Sequence, residues 1–136
     1  MSILVDTCIW SSGLRKRETS ETIPLISELN KLLYYGHAML TGMVRMEILS
    51  GLSVHKEFER VRAELQNFDD FPIETEDYET AASILTLCRS KGIQGSHTDF
   101  LLCALSQRHA MPIFTTDKDF TYFARHIKIK LHPIPS

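Results

Sequence analysis

The chain has 136 residues, 43% of them apolar and 24% charged, which suits one soluble globular domain with a single core rather than a disordered or fibrous segment. No apolar run approaches bilayer length, and Asp6 arrives too early for the apolar core of a signal peptide, so a membrane span and a secretory leader are not expected. The net charge of −2 argues against a simple nucleic-acid-coating protein, and the three cysteines (Cys8, Cys88 and Cys103) form no Cys-x-x-Cys pair and are expected to be buried small residues in a reducing cytoplasm.

In chain order, Ser2 to Asp6 reads as a short buried strand ending on an acid, followed by a loop carrying the basic run Arg15-Lys16-Arg17. A helix is predicted from about Ser20 to Tyr35, with Ile23, Ile26, Leu29, Leu32 and Leu33 at helical spacing and Gly36 as its stop. His37 to Thr41 suits a parallel strand. Met43 to Leu52 is a helix capped by Thr41 or Gly42, and Val54 to Phe68 is another, with an apolar stripe of Val54, Phe58, Val61, Leu65 and Phe68. Phe71-Pro72-Ile73 is extended. Helices follow over Asp77 to Lys91, closed by Gly92, and over Ser96 to His109. Pro112 to Thr115 is a strand, Lys118 to Arg125 a short helix and Ile127 to Leu131 a last strand. Alternation of strands and helices predicts one α/β domain over residues 1–136, with a central parallel sheet of about five strands covered by helices on both faces. In such sheets working groups gather at the C-terminal ends of the strands.

Four acids hold positions that bear on function. Asp6 and Asp117 each follow a strand, yet Asp6 could equally cap the next helix, and Thr116 with Asp119 fits a capping box. Asp99 has a similar ordinary explanation, because Ser96-x-x-Asp99 is itself a capping-box pattern. Glu47 differs. Its same-face helical neighbours are Met43, Val44, Ser50 and Gly51, an apolar-to-small surface on which a carboxylate is costly unless a cation meets it. All four acids could converge on one edge of a parallel sheet, and clustered carboxylates repel unless a cation sits among them. Oxygen donors of this kind suit Mg²⁺ or Mn²⁺. Taking four acids out of the count turns fifteen bases against seventeen acids into fifteen against thirteen, a balance of +2 that is compatible with RNA.

The chain resembles the PIN domain, and within it the VapC-type toxins of bacterial toxin–antitoxin pairs. The resemblance is carried by Leu4-Val5-Asp6-Thr7, by Val44 to Gly51 around Glu47, by Asp99-Phe100-Leu101-Leu102-Cys103-Ala104 and by Thr115-Thr116-Asp117-Lys118-Asp119-Phe120, in the family's order over nearly the whole chain. It implies a PIN-like three-layer sandwich. It also implies that Asp6, Glu47, Asp99 and Asp117 are catalytic and metal-holding residues, with Thr7 and Thr115 in support and Asp119 as a fifth acid or a cap. The implied activity is Mg²⁺- or Mn²⁺-dependent cleavage of RNA, in which a cation-activated water attacks the phosphodiester. The implied partners are a cognate antitoxin that restrains the enzyme and a second copy of the chain, in the cytoplasm. Cys103 stands where the family usually has Ala.

Other residues offer less. His97 could shuttle protons but is more simply polar surface, and His37, His109, His126 and His132 show no zinc-ligand spacing with one another. Arg15-Lys16-Arg17 could guide phosphates or be solvated charge, Arg45 is structural or part of an interface, and Tyr34-Tyr35 reads as core or dimer contact. Other functions make different demands on the same residues. A haloacid-dehalogenase-like phosphohydrolase would want a second acid two residues after Asp6, where Cys8 stands. A receiver-like domain would want an acidic pair after the first strand and a Lys ending a late strand, and neither is present. A non-catalytic α/β interaction domain is compatible with the same fold.

Overall fold

The computed structural model describes residues 1–15 and 18–136, so Lys16 and Arg17 of the basic run lie outside the described residues. Its centre is β1 (Ile3–Val5), whose Ile3, Leu4 and Val5 are all fully buried. Successive strand residues point to opposite faces, so burial of all three means that both faces of the sheet are covered. β1 pairs in parallel with β2 (Ala38–Met39) on one side and with β3 (Ile113–Phe114) on the other, giving the order β2-β1-β3. Ile3 aligns with Ala38, and Leu4 with both Met39 and Ile113.

Three strands are present among the described residues where about five were expected, and the two outer positions survive as single parallel bridges, Leu40 with Asp70 and Ile113 with Leu131. At the first edge Phe71 N–H donates to the Leu40 carbonyl at 2.7 Å. Pro72 then brings no donor, and the chain beyond Leu40 has already turned into a helix at Gly42, so the ladder ends. At the second edge the early residues spend their donors locally, Ile127 N–H on Phe123 and Ile129 N–H on Ile127. Only Lys130 and His132 reach Ile113.

The segment after Asp6 is a helix rather than a loop: α1 (Thr7–Leu14) buries Ile9, Trp10 and Leu14. Ser11, Ser12 and Gly13 made it look irregular, yet Gly13 is where α2 (Thr22–Tyr34) comes close, since a Cβ there would lie 3.1 Å from Leu29 Cδ2. α2 ends at Gly36 with φ +72°, and α5 (Thr75–Ser90) ends at Gly92 with φ +74°, both in the left-handed region that favours glycine. α3 (Gly42–Ser50) is capped by Thr41, whose Oγ1 accepts from Val44 N–H at 3.2 Å. α4 (His55–Leu65) is shorter than its stripe suggested, and Val54 and Phe68 fall outside it.

Arg45 explains how α4 is joined to α3. Its guanidinium donates to the carbonyls of Leu65 and Phe68 at 2.9 and 2.6 Å and to Asp70 at 2.8 Å, satisfying the end of the helix and fixing the turn beyond it. α6 (His97–His109) is buried continuously from Phe100 to Ser106, as expected for a helix enclosed by neighbours, and α5 packs along it. α7 (Asp119–Phe123) adds Phe120 and Phe123 to the core. No helix of the described residues is long and apolar enough to cross a membrane.

Candidate active site

The C-terminal ends of β1 and β3, the body of α3 and the start of α6 border an open cleft of about 580 Å³. Asp6, Glu47, Asp99 and Asp117 all line it, together with Thr7, Cys8, Ser50, Gly51 and Ser96. Two strand ends and two helices thus deliver four acids from opposite ends of the sequence to one place. Ser50 and Gly51, the small residues that follow Glu47 on α3, line the cleft with it.

Asp6 is the deepest of the four, 6% exposed. Its Oδ1 accepts from Thr7 N–H at 2.8 Å, which also caps α1, and its Oδ2 accepts from the Thr115 hydroxyl at 2.8 Å. Thr7 links Asp6 to Glu47, donating from Oγ1 to Glu47 Oε1 at 2.6 Å. Thr115 in turn links Asp6 to Asp117, whose N–H donates to Thr115 Oγ1 at 3.0 Å. The two threonines therefore tie three of the acids into one frame. Asp99 closes the start of α6 with Ser96 in a capping box: Ser96 N–H donates to Asp99 Oδ2, and Asp99 N–H to Ser96 Oγ, both at 3.1 Å.

Capping and convergence are thus not rival descriptions. The cap hydrogen bonds hold the Asp6 and Asp99 carboxylates in place on the cleft and leave other lone pairs uncommitted. The electrostatic consequence is visible in the pKa values. Burial raises Asp6 above the ordinary carboxylate value, opposed by the Thr115 and Thr7 hydrogen bonds and reinforced by the charges of Glu47 and Asp117. Burial likewise pushes Asp99 up to about 6, opposed by Ser96 and reinforced by Asp6 and Asp117. Among the described residues, none of the ion pairs involves any of the four acids.

The donor set is made of carboxylate oxygens with hydroxyls behind them, which fits a hard divalent cation. Among the described residues, no three His, Cys, Asp or Glu side chains stand close enough to hold one ion between them. That spacing is compatible with an ion such as Mg²⁺, which keeps several waters and touches protein through one or two carboxylates.

Several expectations need correction. Asp119 does not form a capping box with Thr116: its N–H donates to Asp117 Oδ1 at 2.9 Å, while Thr116 Oγ1 lies 3.4 Å from Cys8 Sγ, and Asp119 does not line the cleft. Cys8 is half-buried on the cleft wall rather than in the core, 3.7 Å from Thr115 Oγ1; Cys88 and Cys103 are buried as expected. Its position two residues after Asp6 was the available signal, missed because a helix was not expected there. Tyr34 and Tyr35 are 83% and 61% exposed, packing edge to face on each other at the end of α2, so they are not core. His97 is exposed and does not line the cleft.

Comparison with known proteins is consistent with this architecture. The family model for the PIN domain matches residues 3–126. Among solved structures, the chain is similar to FitAcB from Neisseria gonorrhoeae, with a TM-score of 0.75, 18% identity and 96% of each chain covered. It is also similar to VapBC2 from Rickettsia felis bound to a DNA fragment from their promoter, with a TM-score of 0.72 and 14% identity over 97% of this chain and 98% of that one. A toxin–antitoxin complex from Klebsiella pneumoniae gives a TM-score of 0.62 at 20% identity, over 88% of this chain and 90% of that one. No curated protein sequence matches.

Proposed function

The chain belongs to the PIN domain family, and we propose that it works there as a divalent-metal-dependent endoribonuclease, the toxin of a toxin–antitoxin pair. The observation that carries this reading is the convergence of Asp6, Glu47, Asp99 and Asp117 on one cleft, with no ion pair to any of them among the described residues. Asp6 is buried, Asp99 and Glu47 are half-buried and Asp117 is exposed, and holding the first two charged beside further acids is costly unless a cation joins them.

In this reading Asp6, Glu47, Asp99 and Asp117 hold Mg²⁺ or Mn²⁺, directly or through water. The cation, when bound, supplies Lewis acidity to an attacking water and positive charge to the leaving oxygen. The protein's share is positioning. Thr115 fixes Asp6 Oδ2 and the Asp117 backbone, and Thr7 fixes Glu47 Oε1, so that the acids keep their places when the phosphodiester arrives. Hydrolysis needs no covalent enzyme intermediate, and Cys8 stands where a phosphotransfer site of the dehalogenase type would need its second acid.

The partners belong to the same proposal. Solved structures of similar fold are described as a toxin–antitoxin complex and as VapBC2 bound to promoter DNA. We take this chain's antitoxin to place an Arg or Lys against the acid cluster, where a guanidinium or ammonium substitutes for metal charge. We further take residues 1–136 to act as one nuclease domain, self-associating as a homodimer in the cytoplasm.

The test is direct. Purified protein cleaves single-stranded RNA with Mg²⁺ or Mn²⁺, loses this in excess chelator, and loses at least about 100-fold in rate on Asp6→Asn, the scale on which metal sites lose activity when their supports are removed. Cleavage undiminished by chelator sinks the metal reading.

A further inference from the structure

At Gly51 the acid cleft adjoins a second cleft of about 250 Å³, since Gly51 lines both. The second cleft is bordered by Arg15, Leu52, Ser53, Val54 and Glu57. Arg15 is the one basic residue on either cleft among the described residues. It is held in place: its Nη2 donates at 2.8 Å to the carbonyl of Gly51, which lies one helical turn after Glu47 and donates its own N–H to the Glu47 carbonyl. That contact uses one of five guanidinium donors.

Among the described residues the charge of Arg15 has no acidic partner. Glu57, the acid on the same cleft, is engaged by Arg60 at 2.7 and 2.9 Å, and no ion pair among the described residues includes Arg15. Arg60 also donates to the Leu14 carbonyl at 2.9 Å, anchoring the chain immediately before Arg15. The Ser53 hydroxyl is exposed on the same wall. A fixed, unneutralised fork of donors one step from a cleft of acids suits an anion that belongs to the molecule lying over those acids. In RNA that anion is a backbone phosphate.

Resting on the ribonuclease reading, we infer that the Arg15 cleft is a substrate subsite: Arg15, with Ser53 beside it, takes a non-bridging phosphate oxygen of a nucleotide next to the scissile one. The bound strand then runs from the acids across Gly51 to Arg15. Contact is to the backbone, so it sets register without reading base identity.

The test is equilibrium binding of a fluorescein-labelled oligouridylate of about ten nucleotides, a length in the range single-strand sites cover. Glu47→Gln serves as the cleavage-deficient background, at one fixed Mg²⁺ concentration. Adding Arg15→Gln weakens binding about tenfold, the worth of one charge-assisted hydrogen bond. It also makes the dependence of log affinity on log salt shallower by up to about 0.7, the share of one single-strand phosphate contact. Arg15→Lys retains the salt slope while losing part of the affinity. Lys130→Gln, on a separate cavity at the far end of α6, changes neither. Unchanged affinity and slope in Arg15→Gln overturns the subsite. So does an equal loss in Arg15→Gln and Arg15→Lys with no slope change, since that is the mark of a residue that only staples Gly51. Arg15-dependent binding by a wild-type protein that never cleaves RNA keeps the subsite and overturns the nuclease reading instead.

Discussion

Two buried aspartates in this molecule have opposite surroundings. Asp77, at the start of α5, is 1% exposed and fully provided for: Glu74 N–H donates to its Oδ2 at 2.8 Å, and Arg108 at the end of α6 meets its Oδ1 at 3.0 Å. Asp6, at the end of β1, is 6% exposed and receives a backbone N–H and a hydroxyl, but no cation among the described residues. Its charged neighbours are Glu47 and Asp117, which make its own charge harder to keep. One end of α6 closes a structural ion pair, while the other end contributes Asp99 to an uncompensated group. A buried acid with its counter-charge supplied by the fold is architecture; one without it marks where something from outside must bind.

The largest effect expected from this comparison lies at the Asp77 end. Arg108→Gln removes the cation while leaving Asp77 buried, and is expected to destabilise the protein by about 2 kcal/mol, below the range for fully buried pairs because Arg108 is partly solvated. A denaturant midpoint shifted by that amount at unchanged m-value checks it. A loss below about 0.5 kcal/mol would mean that Asp77 is satisfied by Glu74 N–H alone.

At the other end the sign reverses. Asp6→Asn keeps an acceptor for Thr7 N–H, and Asn caps helices about as well as Asp, so the substitution removes charge without removing the cap. The metal-free variant is expected to melt slightly higher than wild type, by less than about 1 kcal/mol in stability, though it cleaves no RNA. Mg²⁺ should raise the melting temperature of wild type more than that of Asp6→Asn, because a ligand that binds only the folded state stabilises it by mass action. Melting curves with and without Mg²⁺ read both. A lower melting temperature for Asp6→Asn and no Mg²⁺ effect on either protein would return Asp6 to a purely structural role.

The same contrast explains what could be read from the sequence. Asp6 and Asp117 were visible because a strand pattern ends on each, and Glu47 because its helical neighbours are small and apolar. The Asp77–Arg108 pair was not visible: its members are separated by most of α5 and most of α6, and no local pattern links a first-turn acid to a last-turn base on the next helix. α1 was missed because Ser11-Ser12-Gly13 interrupts its apolar positions, and its helicity depends on packing against α2 at Gly13. That miss hid Cys8 on the cleft wall. The outer strands were overcounted because apolar alternation signals a place at the sheet edge, whereas the ladder also needs donors that Pro72 lacks and that Ile127 and Ile129 spend locally.

The smallest effect concerns pH. Asp99 is pushed up to about 6 in the folded protein, chiefly by burial, against an ordinary value of 3.8. A carboxyl group whose folded pKa is raised holds its proton more tightly in the folded than in the unfolded chain. Its contribution to stability is therefore fully present below the unfolded value and is lost as pH rises through the folded value. Metal-free protein should lose stability between about pH 4 and pH 6 on this account, with Asp6 shifting in the same direction. Asp99→Asn should flatten that part of the profile, because Asn does not titrate, while keeping an acceptor for Ser96 N–H at the start of α6. Mg²⁺ should reduce the loss near neutral pH by favouring the ionised carboxylates. Melting temperatures of wild type and Asp99→Asn across this window, with and without Mg²⁺, measure the difference. Parallel profiles for the two proteins would show that Asp99 is settled by its capping box and carries none of the electrostatic load of the cleft.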